Sequence, residues 1–170
     1  MAIIYFLIWG ITVLFVLRKI FPKIELKIES ESKLTYHKRD YLLSNAEKKF
    51  YDVLKIIADE NNWIISLKVR LEDLIEVPHN MDYRQRWSLR GRIKSRHIDF
   101  VICDKINIIP LLAIELDDSS HGRWDRVESD NNLNRILKEA GLPLLRIRAK
   151  YSYSLSEILD QIREKITTKS

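Results

Sequence analysis

The segment Ile114-Glu115-Leu116-Asp117-Asp118-Ser119-Ser120-His121, preceded by His97-Ile98-Asp99-Phe100-Val101-Ile102-Cys103, decides how this chain is read. Ile98, Phe100 and Ile102 alternate with His97, Asp99 and Val101, and Ile114 and Leu116 alternate with Glu115 and Asp117, so both segments are expected to be strands. Side chains two apart on a strand share a face, which makes Glu115 and Asp117 project together. A neighbouring strand can add Asp99 to the same spot. Three carboxylates gathered on apolar strands repel one another and lose hydration unless a cation sits among them. The alternative is that these acids are the solvent-facing residues of half-buried strands.

Working outward, 170 residues suit one compact domain of about 120–150 residues plus an appendage. With 46% apolar and 31% charged residues the chain is globular rather than disordered. Its single cysteine, Cys103, falls in an apolar strand and excludes an intrachain disulfide framework; zinc-type Cys/His spacing is absent. The net charge of +5 is local. Between Met81 and Ile98 lie Arg84, Arg86, Arg90, Arg92, Lys94 and Arg96 against Asp82 alone, an excess equal to that of the whole chain. Such a segment points to a polyanion or an anionic membrane surface. Tyr83 and Trp87, interleaved with the arginines, favour nucleic acid through phosphate contacts and base stacking.

Residues 1–21 read as a separate unit. Ala2 to Leu17 carry no charge and are largely apolar, about 24 Å as a helix against a hydrocarbon core of roughly 30 Å. Ile20 and Phe21 lengthen the run while Arg18 and Lys19 snorkel, so a thin transmembrane helix is expected. Neither a basic n-region nor a small-residue cleavage site is present. Arg18, Lys19, Lys23 and Lys27 follow the run and none precedes it. The charge bias places the remainder in the cytoplasm, with a single-pass anchor in the inner membrane. Residues 22–43 read as a solvated tether.

The globular domain is expected over 44–168. Ser44-Asn45-Ala46-Glu47 is a capping-box pattern opening an amphipathic helix to about residue 61. Trp63 to Val69 is a strand and Leu71 to Val77 a short helical turn. The basic segment is a loop or short helix in which Gly91 marks flexibility. The two acid-bearing strands form a hairpin, followed by a helix from about Trp124 to Ala140. Gly141 and Pro143 terminate that helix. A strand over Leu144–Ile147 and a final helix through about Ile166, capped at Ser154 or Ser156, complete an α/β (α+β) fold with a central mixed sheet flanked by helices.

The segments Leu43–Tyr51, His97–Ile102, Ile114–His121 and Ala140–Ile147, in this order, resemble the bacterial domain of unknown function 2726 family over about residues 41–150. The order of elements is similar to the restriction-endonuclease-like PD-(D/E)xK core. The Glu-x-Asp-x-x-x-His arrangement resembles the very-short-patch mismatch endonucleases, which often carry Gly where this chain has Asp118. The resemblance implies that Asp99 is the first metal-binding acid and Glu115 the acid of the (D/E)xK motif. Asp117 stands where that motif has its lysine, leaving His121 or Asp117 to orient the attacking water. Glu47 matches an acid that the first helix brings near the metal; it also reads simply as the N3 member of the capping box.

Asp99, Glu115 and the Leu116 carbonyl form an oxygen-only set that suits Mg²⁺ or Mn²⁺. A cation there lowers the pKa of bound water and stabilises charge on a scissile phosphate. Three functions follow from these residues. The first is a membrane-anchored, metal-dependent nuclease acting on DNA or RNA. The second is a catalytically inactive, nuclease-like module that binds nucleic acid, and the third is a basic membrane-surface protein.

Overall fold

The computed structural model describes residues 2–20, 35–117 and 124–168, which divide into two units, Met1–Asp40 and Tyr41–Ser170. The first contains α1 (Ala2–Ile20), whose Tyr5, Phe6, Trp9, Ile11, Leu14 and Phe15 are exposed. Its uncharged stretch is interrupted by Arg18 and Lys19 inside the helix's own last turn. Among the described residues, no helix is long and apolar enough to cross a membrane. The expected transmembrane helix is therefore corrected to an apolar helix, because the uncharged run is a few residues short of a bilayer core. Of the expected tether, 22–43, residues 22–34 lie outside the described residues.

The second unit follows the order α2 (Asn45–Glu60), β1 (Trp63–Arg70), α3 (Leu71–Leu74), α4 (Tyr83–Ile93), β2 (His97–Asp104), β3 (Pro110–Asp117), α5 (Trp124–Glu139), β4 (Leu144–Arg148) and α6 (Leu155–Thr167). Local signals account for most of these boundaries. Ser44 and Glu47 form the capping box of α2, and Ser154 caps α6 by accepting the Glu157 N–H. Gly141 has φ +71°, the left-handed conformation that ends α5. Of the two readings of the basic segment, loop or short helix, the structure shows a helix. Asp82 accepts the N–H groups of Arg84 and Gln85 and starts α4, which carries Gly91 within it.

The strands form one mixed sheet in the order β1-β2-β3-β4. β1–β2 and β2–β3 are antiparallel; β3 and β4, joined through α5, are parallel. Each face packs against helices. Phe50, Leu54 and Ile57 of α2 with Ile158 and Ile162 of α6 cover Phe100, Ile102, Ile114, Leu145 and Ile147. Phe50 is fully buried, edge-on to Phe100 and Tyr153 at 5.4 and 5.1 Å between ring centres. Leu71, Ile93, Leu133 and Leu137 cover Ile98, Val101, Cys103 and Ala113 on the other face.

The faces exchange at one place. On β1, Leu67 packs beneath α2 and α6 but Val69 beneath the opposite helices; on β2, Phe100 and Ile98 divide the same way. The residues between them are Lys68 and Asp99, flanked by the register pairs Leu67–Phe100 and Val69–Ile98. Lys68 has φ +51°, a left-handed conformation inside a strand. This inversion breaks the period of two and turns the lysine to the same side as Asp99.

Candidate active site

β2 and β3 are aligned from Cys103–Pro110 to Phe100–Ile114. Beyond that pair a side chain continues what the backbone began: Asp99 Oδ2 accepts the Leu116 N–H at 3.0 Å. Asp99 Oδ1 accepts from Lys68 Nζ at 2.7 Å, and the same ammonium donates to Glu47 Oε1 at 2.5 Å. Glu47 Oε2 accepts the Ser44 N–H at 2.7 Å. The two readings of Glu47 thus hold together, one oxygen serving the helix cap and the other the site. Burial pushes the Lys68 ammonium down, but its bonds to Asp99 and Glu47 outweigh that and hold it above the usual lysine range. Burial likewise pushes Glu47 up, and Lys68 and Ser44 bring it below the ordinary carboxylate value.

Glu115 is unlike its neighbours. It lies next to Asp99 in the continuation of the β2–β3 register, and its Oε1 is buried without a hydrogen-bond partner. Burial, and then repulsion from Asp99, push its carboxyl up to about 7, against opposing pulls from Arg146 and from a backbone hydrogen bond at Asp99. Asp117, two residues on, is half-exposed and pairs with Arg146, whose Nη1 donates to its Oδ1 at 2.9 Å. Arg146 Nε also donates to Asn134 of α5.

Asp99 and Asp117 both act on the Glu115 carboxyl, and Asp117 is paired with the arginine of β4. Among the described residues, no group of three or more acids, histidines or cysteines could hold a metal ion. That corrects the three-carboxylate cluster, because Arg146 supplies Asp117's counter-charge directly. His121 lies outside the described residues, as does Asp118. Sequence reasoning missed Lys68, whose only signal was a lone charge between Leu67 and Val69 of an apolar strand.

The oxygen donors fit a hard divalent cation. An orphaned, buried carboxylate oxygen beside a second carboxylate is the chemistry that Mg²⁺ or Mn²⁺ satisfies. Glu115 and Asp99 would hold it, and it would supply an acidified water and charge neutralisation at a phosphate.

The basic residues sort by exposure. α4 turns Leu89 and Ile93 inward, with Arg86 half-buried and hydrogen-bonded to His79. Arg84, Arg90, Arg92 and Lys94 are exposed, while Arg96, beyond the helix, is half-buried. Tyr83 and Trp87, 77% and 62% exposed, stack on one another at 6.1 Å with their planes 20° apart. Two solvent-facing rings thus lie among exposed cations.

Residues 39–166 match the family described as Protein of unknown function (DUF2726). The chain belongs to this family. No curated protein and no solved structure matches it. The family's span takes in Glu47, Lys68, Asp99, Glu115 and the whole basic helix, so the site and the surface described above are parts of one DUF2726 domain.

Proposed function

We propose that this DUF2726 domain is a metal-dependent phosphodiesterase of the PD-(D/E)xK type acting on DNA or RNA. The observation that carries this reading is the unpartnered, buried Oε1 of Glu115 beside Asp99, at the point where a side chain replaces the β2–β3 ladder. A further support is the element order: a helix, an antiparallel hairpin sheet carrying both acids, then a helix and a parallel strand.

In this reading α4 binds the polyanion through Arg84, Arg90, Arg92 and Lys94, without choosing a sequence. Asp99 and Glu115 would hold Mg²⁺ or Mn²⁺, which would supply an acidified water and charge neutralisation at the phosphate. Leu116 N–H fixes the rotamer of Asp99, Lys68 balances its charge, and α2 holds Lys68 through Glu47. Arg146 balances the charge of Asp117 beside the two metal-binding acids. The exposed apolar surface of α1, followed in sequence by Arg18, Lys19, Lys23 and Lys27, attaches the protein to the cytoplasmic face of a membrane.

Incubation of the full-length protein in detergent with duplex DNA, single-stranded DNA and RNA, each with Mg²⁺, Mn²⁺ or a chelator, tests the reading. Metal-dependent cleavage lost in Glu115→Gln supports it; nucleic-acid binding without cleavage under any condition overturns it. That second outcome is the mark of a catalytically inactive binding module, which the placement of Asp117 where the motif has lysine favours.

A further inference from the structure

We infer that Lys68 is a built-in counter-ion that holds the metal site closed until a divalent cation takes Asp99 from it. The inference rests on the metal-site reading of Asp99 and Glu115. It starts from a conflict of charge. Asp99 has two oxygens: Oδ2 is held by the Leu116 N–H and Oδ1 by Lys68 Nζ. Each oxygen keeps a further lone pair, but a cation bridging Asp99 and Glu115 enters beside the Lys68 ammonium and competes with it for the charge of Asp99. Glu115, by contrast, is already free to accept one, since its Oε1 has no partner.

The geometry gives Lys68 somewhere to go. Its Nζ bonds to Glu47 as well, and at 2.5 Å that contact is the shorter of the two. Glu47 is fixed by a second bond, Ser44 N–H to its Oε2, at the first turn of α2. Release of Asp99 Oδ1 therefore leaves the ammonium paired on Glu47 rather than unpaired in a half-buried site, which would be costly. The left-handed φ of Lys68 is a further sign of function. A lysine in a strand interior pays about 1–2 kcal/mol for that conformation, and here it serves to bring the side chain between the two acids.

Lys68 is then a positioning residue toward the metal. It holds Asp99 in orientation before the cation arrives, and competes with the cation for that carboxylate. Two substitutions on opposite sides of the competition shift metal affinity in opposite directions. Lys68→Met removes the competitor and a positive charge, so the full-length protein should bind Mn²⁺ roughly tenfold more tightly. Its melting temperature should also rise more on Mn²⁺ addition than that of the parent. Glu47→Gln keeps an oxygen for the Ser44 N–H but removes the anion that receives Lys68, so Mn²⁺ affinity should fall by several-fold.

Calorimetric titration of Mn²⁺ into parent, Lys68→Met, Glu47→Gln and Glu115→Gln proteins reads all four. Tighter binding in Lys68→Met with weaker binding in Glu47→Gln establishes the exchange. Parent binding that Lys68→Met leaves unchanged or weakens overturns the inference while the metal site stands. If Lys68→Met does not fold, Glu47→Gln decides: unchanged or tighter binding overturns the inference. Absence of Mn²⁺ binding in parent and variants alike overturns the metal-site reading and this inference with it.

Discussion

The side chain of Asp99 and the backbone of Leu116 are joined by a hydrogen bond of 3.0 Å, Leu116 N–H donating to Oδ2, while the other carboxylate oxygen holds Lys68. Both oxygens of Asp99 are thus engaged, whereas Glu115 in the adjacent strand keeps a buried oxygen unpartnered. Two acids of like appearance in the sequence carry opposite energetic signs, and substitution should separate them.

Asp99→Asn offers one acceptor oxygen to two donors, and its NH₂ must face either Lys68 or the Leu116 N–H. The loss is expected to be about 1–3 kcal/mol, the cost of an unsatisfied buried donor. Thermal melting at pH 7 without metal checks it. A melting temperature equal to the parent's would show that these bonds contribute nothing to stability.

Glu115→Gln should instead stabilise the metal-free protein above pH 7. The folded carboxyl holds its proton up to about 7, while the unfolded one ionises near the model value of 4.5. The folded state binds more protons between these values, so stability falls as pH rises from about 4.5 through 7. Glutamine removes this loss, on the order of 1–3 kcal/mol. Melting curves of parent and variant at pH 4 and pH 8 should differ at pH 8 only, and a stability gain that is the same at both would refute the assignment.

The basic helix should act through its exposed cations. Neutralising Arg84, Arg90, Arg92 and Lys94 together is expected to weaken nucleic-acid binding similarly for unrelated sequences. For duplex DNA, log affinity against log salt should flatten by roughly 0.9 per lost phosphate contact. Arg86 is left in place because it is half-buried against His79. Filter binding over a salt series provides the slope; parent and quadruple variant with the same slope would place the contacts elsewhere.

Tyr83→Ala with Trp87→Ala should discriminate between substrates. Base stacking is worth about 1–3 kcal/mol per base on a single strand and is unavailable within an intact duplex. The double variant should lose single-strand affinity much more than duplex affinity. Equal losses on the two would mean that the stacked pair of rings merely shapes α4.

Ser44→Ala tests the link between cap and site. Its hydroxyl accepts the Glu47 N–H at 3.3 Å, and its removal is expected to cost about 1 kcal/mol. The Ser44 N–H remains to hold Glu47 Oε2, so Mn²⁺ affinity should stay within about twofold of the parent's. A larger change would tie the hydroxyl to the site.

Much of the architecture was legible in local chemistry. Ser44 with Glu47, Ser154 and Gly141 mark helix ends because capping and left-handed turns depend on a few adjacent residues. The apolar alternation of β2 and β3 marks strands whose inner positions pack on helices. The pairing of Asp99 with Glu115 followed from that alternation. The basic segment was legible as charge, with loop and short helix left open. Asp82 and its two N–H contacts decide for the helix, against a glycine and an unusual density of arginine.

What the sequence by itself determined is the set of elements, their order and the two acids, because these rest on periodicity and caps that act within a few residues. Only the tertiary structure decided which charge answers which acid. Arg146 reaches Asp117 from a strand 29 residues away in sequence, and Lys68 reaches Asp99 from 31. Alternation alone would give Lys68 a strand-like orientation without naming a partner. The left-handed turn at φ +51°, together with the change of packing face at Ile98, aims it at Asp99 and Glu47. An ion pair depends on the meeting of two distant segments, and no local pattern encodes that meeting.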